Sequence, residues 1–232
     1  MKEPLILLIE TSGPICSVGI SRGTVLLGLA EDRHGEHTRV LNELIRKVLE
    51  QSQSSLEDLD AIAVNEGPGS FTSLRIGVVA AKGMAYALEK PLILVPGLKA
   101  LATKAQEQFP EANYYLPLID ARRDEVYLAV YSRNLKEELI KPVAQILDNE
   151  LNVRLNINGG NCVIVGSGAA KWANFISNWP VLMAEVAFSA SNLLKLALTK
   201  CELEDFDSIS DAKPFYLKEP NITIPKEKLI SR

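Results

Sequence analysis

The order of predicted strands and helices occurs twice along this 232-residue chain, and this repetition limits the possible folds more than any single motif. In the first half, the apolar strand "PLILLIE" leads through a short turn into two more strands, after which helix and strand alternate. In the second half, "YYLPLIDARRDEVYLAVYS" is again strand, turn and strand, with a third strand near "KEELIK". Glu10 and Asp120 occupy the same place in the two halves, at the end of the first strand. The chain is therefore predicted to contain two similar α/β units.

This order matches the duplicated fold of actin, Hsp70 and hexokinase (the ASKHA fold), in which each half is a mixed sheet covered by helices. It predicts an N-terminal subdomain of residues 1–97 and a C-terminal subdomain of residues 98–232. The connecting helix is expected in "VPGLKALATKAQEQFPEAN". Further helices are expected in "VAQILDNELNVRL", after the glycine turn of "NCVIVGSGAAKWANFISNW", and in the serine-capped "SASNLLKLALTKCE".

Proteins of this fold that bind ATP hold it between the two halves, beside three turns that carry small residues. The residues at these turns in this chain are, in order, Glu10, Thr11 and Ser12; Asp120; and Gly166 and Gly168. A backbone that closely approaches a phosphate requires glycine, but the second turn has Arg122 and Arg123 in that place. The turns therefore predict a nucleotide site that has degenerated.

The loop "NEGPGSFTSLRIG" has the composition of a phosphate-binding loop, with Gly67, Gly69, Ser70 and Thr72. It lacks the G-K-[ST] ending of a P-loop, so no lysine from this motif reaches a phosphate. The start of a helix attracts anions in general, but Ser70 or Thr72 can equally serve as its N-cap. We therefore expect no cofactor and no metal on this chain.

The helix after this loop is apolar on most sides, with Arg75, Lys82 and Glu89 on one narrow polar strip. A helix that covers a sheet needs only one apolar stripe, so a second apolar face predicts contact with another helix of the chain or with a partner subunit. The helical wheel does not distinguish the internal face from the external one. One face comprises Ile76, Val79, Ala80, Gly83 and Ala87. From the other face and the wide apolar face of the preceding helix, we predict a partner interface of Val40, Leu41, Leu44, Ile45, Val48, Leu74, Gly77, Ala81, Met84 and Leu88.

The composition predicts a cytoplasmic protein that does not bind nucleic acid by itself. The net charge of −4 has the wrong sign for gripping RNA without a basic partner. Three scattered cysteines without a C-x-x-C pair suit a reducing compartment. No apolar run approaches the ~18 residues that a transmembrane helix needs.

Other catalytic patterns are weak. His34 and His37 form an H-x-x-H pair, but Gly35 and the expected helix start disturb the geometry that a shared metal would need. A structural hydrogen bond is the more ordinary role for such a histidine. The sequence contains neither H-E-x-x-H nor G-x-S-x-G, the motifs of zinc peptidases and α/β-hydrolases.

Several segments, in chain order, resemble the TsaB (YeaZ) family of tRNA threonylcarbamoyladenosine biosynthesis proteins: "IETS", "CSVGI", "EHTRVLNELI", "LDAIAVNEGPGSFTSLRIG", "DARRDEVY" and "PFYLK". The resemblance runs from about Ile6 to Lys218. This chain has Ser73 where the family usually has glycine, Glu10 where it has aspartate, and Lys218 where it has arginine.

The resemblance implies a non-catalytic subunit that binds TsaD through helices of its N-terminal subdomain and forms a homodimer when alone. TsaD transfers threonylcarbamoyl to the adenosine next to the anticodon, and TsaE joins the heterodimer. ATP and metal are then expected on TsaD and TsaE, and tRNA is contacted only through the complex. Two alternatives stay open: an ATPase or kinase of the actin fold, and a glycoprotease-like peptidase.

Overall fold

The computed structural model describes residues 3–148, 161–173 and 181–218 and contains two five-stranded sheets. The first sheet has the order β3-β2-β1-β4-β5, with β1 Leu5–Glu10, β2 Cys16–Arg22, β3 Val25–Asp32, β4 Ala61–Gly67 and β5 Leu92–Pro96. The second has the order β10-β9-β6-β7-β8, with β6 Tyr114–Asp120, β7 Glu125–Ser132, β8 Glu138–Ile146, β9 Cys162–Val165 and β10 Val181–Ala184.

The two sheets have the same topology. In each, the first three strands form an antiparallel meander, and the last two lie parallel to the first on its other side. Parallel neighbours require crossover connections, which helices supply. The helices are α1 His37–Ser52, α2 Phe71–Ala87, α3 Gly97–Gln108, α4 Ala169–Ala173 and α5 Leu194–Glu202, with a 3₁₀ helix at Ala190–Leu193.

Helices cover both faces of the first sheet. Side chains of α1 and α2 pack on one face, in a core that includes Leu7, Ile9 and Val18 of the strands. The 3₁₀ helix and α5 pack on the other face, against Ile6 and Leu8. All six residues of β1 are buried, which explains why its sequence is continuously apolar rather than alternating.

The second sheet is also covered on two sides. Buried residues of α3 pack with alternate side chains of β6 and β9, including Tyr115 and Val163. Trp172 of α4 packs on the opposite face, with Leu116 and Ile164.

The predicted boundary at Gly97 lies between the two sheets, since β1–β5 precede it and β6–β10 follow it. However, α5 comes from the predicted 98–232 segment and packs on the first sheet. The last part of the chain therefore completes the core of the first subdomain.

Two elements differ from the sequence prediction. Val143–Ile146, expected in a helix, continue β8 as a strand that pairs with β7; the rest of that predicted helix, from residue 149 onwards, lies outside the described residues. The short strand β10 was not predicted. In the part of the chain that the structure describes, the helices are too short or too polar to cross a bilayer.

Candidate functional site

The acidic residue at the end of β1 is buried within the protein. Glu10 Oε1 accepts hydrogen bonds from the backbone N–H and the hydroxyl of Ser12, each at 2.6 Å. Its Oε2 accepts a bond from Asn65 Nδ2 on β4 at 2.5 Å. Burial raises the pKa of the Glu10 carboxyl, although the bonds from Asn65 and Ser12 act in the opposite direction. In an ATP-binding protein of this fold, the acidic residue at this position would organise a metal. Here the Glu10 carboxylate instead accepts hydrogen bonds from one backbone N–H and two side chains of this chain.

The loop between β4 and α2 lies directly on the first turn. The Ser70 N–H donates to the Ser12 carbonyl at 2.8 Å. The backbone at Gly69 approaches Ser12 so closely that a side chain at position 69 would overlap the Ser12 carbonyl oxygen. The chain's own backbone therefore fills space beside the first turn. Thr11 lies under α2, where a side chain at Gly77 would overlap its hydroxyl.

The start of α2 differs from the predicted capping. Ser70 is the N-cap residue, but its side chain makes no capping bond to the helix backbone. Its Oγ lies 3.0 Å from Ser73 Oγ, which donates to it. Thr72 is exposed within the first turn of the helix.

The second turn has a glycine-like backbone with arginine side chains. Arg122 and Arg123 have φ values of 69° and 52°, in the left-handed region that favours glycine. The Arg122 N–H donates to Asp120 Oδ1 at 2.7 Å, and Lys171 Nζ of α4 lies 2.9 Å from the same oxygen. Asp120 is therefore tied to its own turn and to α4.

The glycines of two predicted phosphate turns closely approach other backbone of the chain. Gly67 has a φ of 123°, and a Cβ there would lie 2.6 Å from the Phe215 carbonyl oxygen. Gly166 has a φ of 102°, and a Cβ there would lie 2.5 Å from the Leu118 carbonyl oxygen. The Gly168 N–H donates to that same oxygen at 2.9 Å. These glycines thus serve packing within the chain.

The three turns surround a cleft of about 610 Å³ between the subdomains. Residues that line it include Ser12, Arg33, His34, Ser70, Arg122 and Ser167. Within residues 3–148, 161–173 and 181–218, no three His, Cys, Asp or Glu side chains are grouped so that they could hold a metal ion. The arrangement brings the predicted turn residues together, but their carboxylates are already bonded.

The two histidines have different environments. His37 is buried at the start of α1, and its Nε2 lies 3.2 Å from the Gly13 carbonyl oxygen. His34 is exposed in the loop before α1. The expectation of a structural hydrogen bond is confirmed for His37.

The most buried residues of the predicted partner interface lie on the internal faces of α1 and α2. The side chains concerned are Leu41, Leu44, Ile45, Val48, Leu74 and Ala81, all at most 6% exposed, together with the buried Gly77. Val40, Met84 and Leu88 are half-buried against the same core. The prediction that the buried residues meet a partner is wrong, because the first sheet needs this face as its own cover.

The opposite face of α2 is open to solvent. Val79 is 67% exposed and Tyr86 is 78% exposed. Between them in the helix, Gly83 has no atom within 4 Å of the position of a Cβ. Tyr86 was not among the predicted residues, although its spacing of seven residues from Val79 places both on one face. We name Ile76, Val79, Ala80, Gly83, Tyr86 and Ala87 the α2 outer stripe. Val79, Gly83, Tyr86 and Ala87 are exposed, whereas Ile76 and Ala80 are half-buried against the first core.

The comparison with known proteins agrees with this fold. A family model described as TsaD, tRNA N6-adenosine threonylcarbamoyltransferase, matches residues 31–221. The Escherichia coli tRNA threonylcarbamoyladenosine biosynthesis protein TsaB is 30% identical over 92% of this chain and 94% of its own length. The solved structure of YeaZ from Pseudomonas aeruginosa has a TM-score of 0.76 and 27% identity, over 92% of this chain and 100% of that one.

A more distant structure shows the wider fold alone. The inorganic polyphosphate/ATP-glucomannokinase from Arthrobacter is 9% identical, with a TM-score of 0.52 over 87% of this chain and 99% of that one. The duplicated actin-like fold predicted from the order of strands and helices is confirmed. Since the Escherichia coli TsaB protein is 30% identical and matches most of the length of both chains, this chain belongs to the TsaB (YeaZ) family of tRNA threonylcarbamoyladenosine biosynthesis proteins.

Proposed function

We propose that this protein acts in tRNA threonylcarbamoyladenosine biosynthesis as a non-catalytic subunit that binds TsaD. With TsaE, the pair would support transfer of threonylcarbamoyl to the adenosine next to the anticodon. The state of the cleft supports a non-catalytic role, because the Glu10 carboxylate is buried and hydrogen-bonded within the chain. An acid or metal-binding group must be accessible to a substrate before it can act on it.

The observation that carries the proposal is the α2 outer stripe. Large apolar side chains at Val79 and Tyr86 are solvent-exposed on a helix whose inner face is fully used by the core. Apolar surface that remains exposed on a folded domain often marks a site of association. Tyrosine is also among the residues that contribute most to binding energy at interfaces.

The small residues of the stripe suit a helical partner. Ala80, Gly83 and Ala87 are spaced so that a second helix can approach the backbone of α2 closely. A partner of the same fold has an equivalent helix on its own first subdomain, so two such helices can pack about a pseudo-twofold axis. This arrangement would serve both the TsaD heterodimer and a homodimer of the isolated chain.

The substitution Gly83→Glu tests this interface. A carboxylate at this position would be buried without a counter-ion in the complex, which costs several kcal/mol. We expect at least a tenfold loss of affinity for TsaD in calorimetric titration, since about 1.4 kcal/mol corresponds to a factor of ten. In a reconstituted reaction with TsaD, TsaE, tRNA and threonylcarbamoyl-adenylate, the variant should support modification poorly.

Ala170→Glu is the matched control, because Ala170 is exposed on α4 of the other subdomain and the same charge is added there. This variant should bind TsaD and support the reaction like the native protein. If Gly83→Glu and Tyr86→Ala both bind TsaD with native affinity, the interface lies elsewhere and the proposal is contradicted.

A further inference from the structure

The segment after α5, Asp207–Lys218, runs along the first subdomain and then reaches the second; we name it the strap. Its start is fixed at the edge of the first sheet. The Asp207 N–H donates to the Leu92 carbonyl at 2.9 Å, and Asp207 Oδ2 accepts from the Leu94 N–H at 2.7 Å. Lys200 Nζ, on α5, lies 2.9 Å from the same carboxylate. The strap therefore begins as an addition to β5.

The middle of the strap is held by the polar strip of α2. Lys82 Nζ donates to the Ala212 carbonyl at 2.7 Å and to the Ser210 carbonyl at 3.4 Å. Ala212 is buried in the first core, and Ile209 packs against that core. One of the polar residues singled out on the helical wheel thus binds the chain's own C-terminal segment.

Aromatic contacts fix the strap at the start of α2. The Phe215 N–H donates to the Glu66 carbonyl at 2.7 Å, at the end of β4. The Tyr216 ring stacks on Phe71 with 4.5 Å between centroids, and its hydroxyl accepts from Arg75 Nε at 3.2 Å. Stacked aromatic pairs stabilise a contact by more than the burial of their apolar area alone provides.

The end of the strap crosses to the second subdomain. Lys218 forms an ion pair with Glu125, the first residue of β7, and both side chains are about two-thirds buried. Strap residues 215–218, the β6–β7 turn and the loop at Gly69 line a cavity of about 300 Å³. The strap thus contacts the first sheet, α2 and the second sheet.

We propose that the strap is a brace that holds the two subdomains at a fixed separation, with the Lys218–Glu125 ion pair as its releasable end. The "PFYLK" motif supplies the parts that this requires: Phe215 and Tyr216 bind the first subdomain, and Lys218 binds the second. Loss of this contact leaves the second subdomain held by α3 and by the packing of Ile15 against the second core, and it widens the range of separations between the subdomains. The brace acts within one chain and does not depend on the interface with TsaD.

A distance measurement between the subdomains tests the brace. Spin labels are attached at Glu43→Cys on α1 and Lys136→Cys before β8, both exposed, in a Cys201→Ser background because the other two cysteines are buried. Labelled protein is diluted with unlabelled protein, so that distances within one chain dominate. In Lys218→Glu we expect the distance distribution to at least double in width, because two carboxylates then face each other.

Two variants make the result specific to the ion pair. Lys213→Glu makes the same charge change at an exposed position of the strap and should leave the distribution as in the native protein. The exchange of charges in Lys218→Glu with Glu125→Lys should restore the narrow distribution. Circular dichroism checks that each variant is folded, and Tyr216→Ala serves as a second means of loosening the strap. Native widths in both Lys218→Glu and Tyr216→Ala would overturn the proposal, as would a charge-exchange variant as broad as the single substitution.

Discussion

At the scale of single residues, the acidic residue at the end of β1 is held in place by hydrogen bonds within the chain. The Glu10 carboxylate accepts three hydrogen bonds, from the Ser12 N–H, the Ser12 hydroxyl and Asn65 Nδ2. Asn65 in turn accepts a bond from the Gly67 N–H. A buried polar cluster is stable only if its donors and acceptors are matched, so each member of this cluster depends on the chemistry of the next.

Asn65→Asp should break this cluster without changing its shape. The substitution replaces the donor Nδ2 with an acceptor and places a second carboxylate against Glu10. We expect a loss of at least about 2 kcal/mol in the free energy of unfolding at neutral pH, because a donor is lost and like charges are buried together. Urea unfolding of the two proteins measures the difference.

The pH dependence of this loss has a defined sign. The pKa of Glu10 is already raised by burial, so its contribution to stability is present in acid and is lost as pH rises through its folded-state value. A second carboxylate raises that value further, so the variant should be closest to native stability at pH 5 and furthest from it at pH 8. Asn113→Asp, at an exposed position, is the control and should show a small and nearly constant effect. An Asn65→Asp protein with native stability at both pH values would contradict this account of the cluster.

The sequence predicted which residues occupy the turns but not which atoms they contact. Arg122 and Arg123 in place of glycine predicted a second turn that does not bind phosphate. Their left-handed backbone conformation could not be predicted from the sequence. The glycines at 67 and 166 were assigned to a degenerate phosphate site, because a close approach to backbone has the same sequence signature whatever the approaching group is. Only the positions of Phe215 and Leu118 distinguish the two cases.

At the scale of elements, α2 shows how a helix can be identified correctly and oriented incorrectly. Its bounds and its two apolar faces were predictable from the 3.6-residue period. The choice between the faces depends on the direction in which the β4–α2 loop turns, which is a tertiary property. The helix predicted at Val143–Ile146 is wrong for a related reason, because pairing with β7 there prevails over a local pattern that is compatible with a helix.

Ala81→Glu and Gly83→Glu should therefore have opposite consequences for stability. Ala81 is fully buried against the first sheet. A glutamate there would overpack the core and would bury a charge, and both effects destabilise the fold. We expect Ala81→Glu to be unfolded at ambient temperature, or to lose at least about 3 kcal/mol in stability. Gly83→Glu should be as stable as the native protein or slightly more so, since glycine is unfavourable inside a helix by about 1 kcal/mol relative to good helix formers. Thermal unfolding followed by circular dichroism distinguishes them, and a folded Ala81→Glu beside an unfolded Gly83→Glu would reverse our assignment of the faces.

At the scale of the whole molecule, residues of the three turns line one cleft, and the first turn is hydrogen-bonded to neighbouring parts of the chain. We expect no measurable heat on calorimetric titration with Mg-ATP and negligible hydrolysis, because Glu10 is buried and the loop at Gly69 covers the first turn. The double substitution Arg122→Gly with Arg123→Gly should not create ATP binding, because it changes only the second of the three turns and leaves the first turn covered. Micromolar binding by the native protein, together with steady turnover, would favour the ATPase alternative and contradict a purely non-catalytic role.

The repeated order of strands and helices was enough to predict the two sheets. It could not show that α5 and the strap return to the first sheet. These contacts bring together residues far apart in sequence: Ile6 and Leu198 share one core, and Lys82 donates to the Ala212 carbonyl. No local pattern encodes them. The degree to which the C-terminal part belongs to the first subdomain was therefore accessible only from the structure.

The return of α5 to the first sheet has a consequence for how the protein is made. Synthesis proceeds from the amino terminus, so β1–β5 leave the ribosome long before Leu193 and Leu198 exist. Until those residues arrive, Ile6, Leu8 and Ile93 form an apolar surface without a cover. While the residues between Ile93 and Leu193 are being added, this surface of the nascent chain is open to chaperones or to other nascent chains. A transcript that ends before α5 would release a product that never closes it.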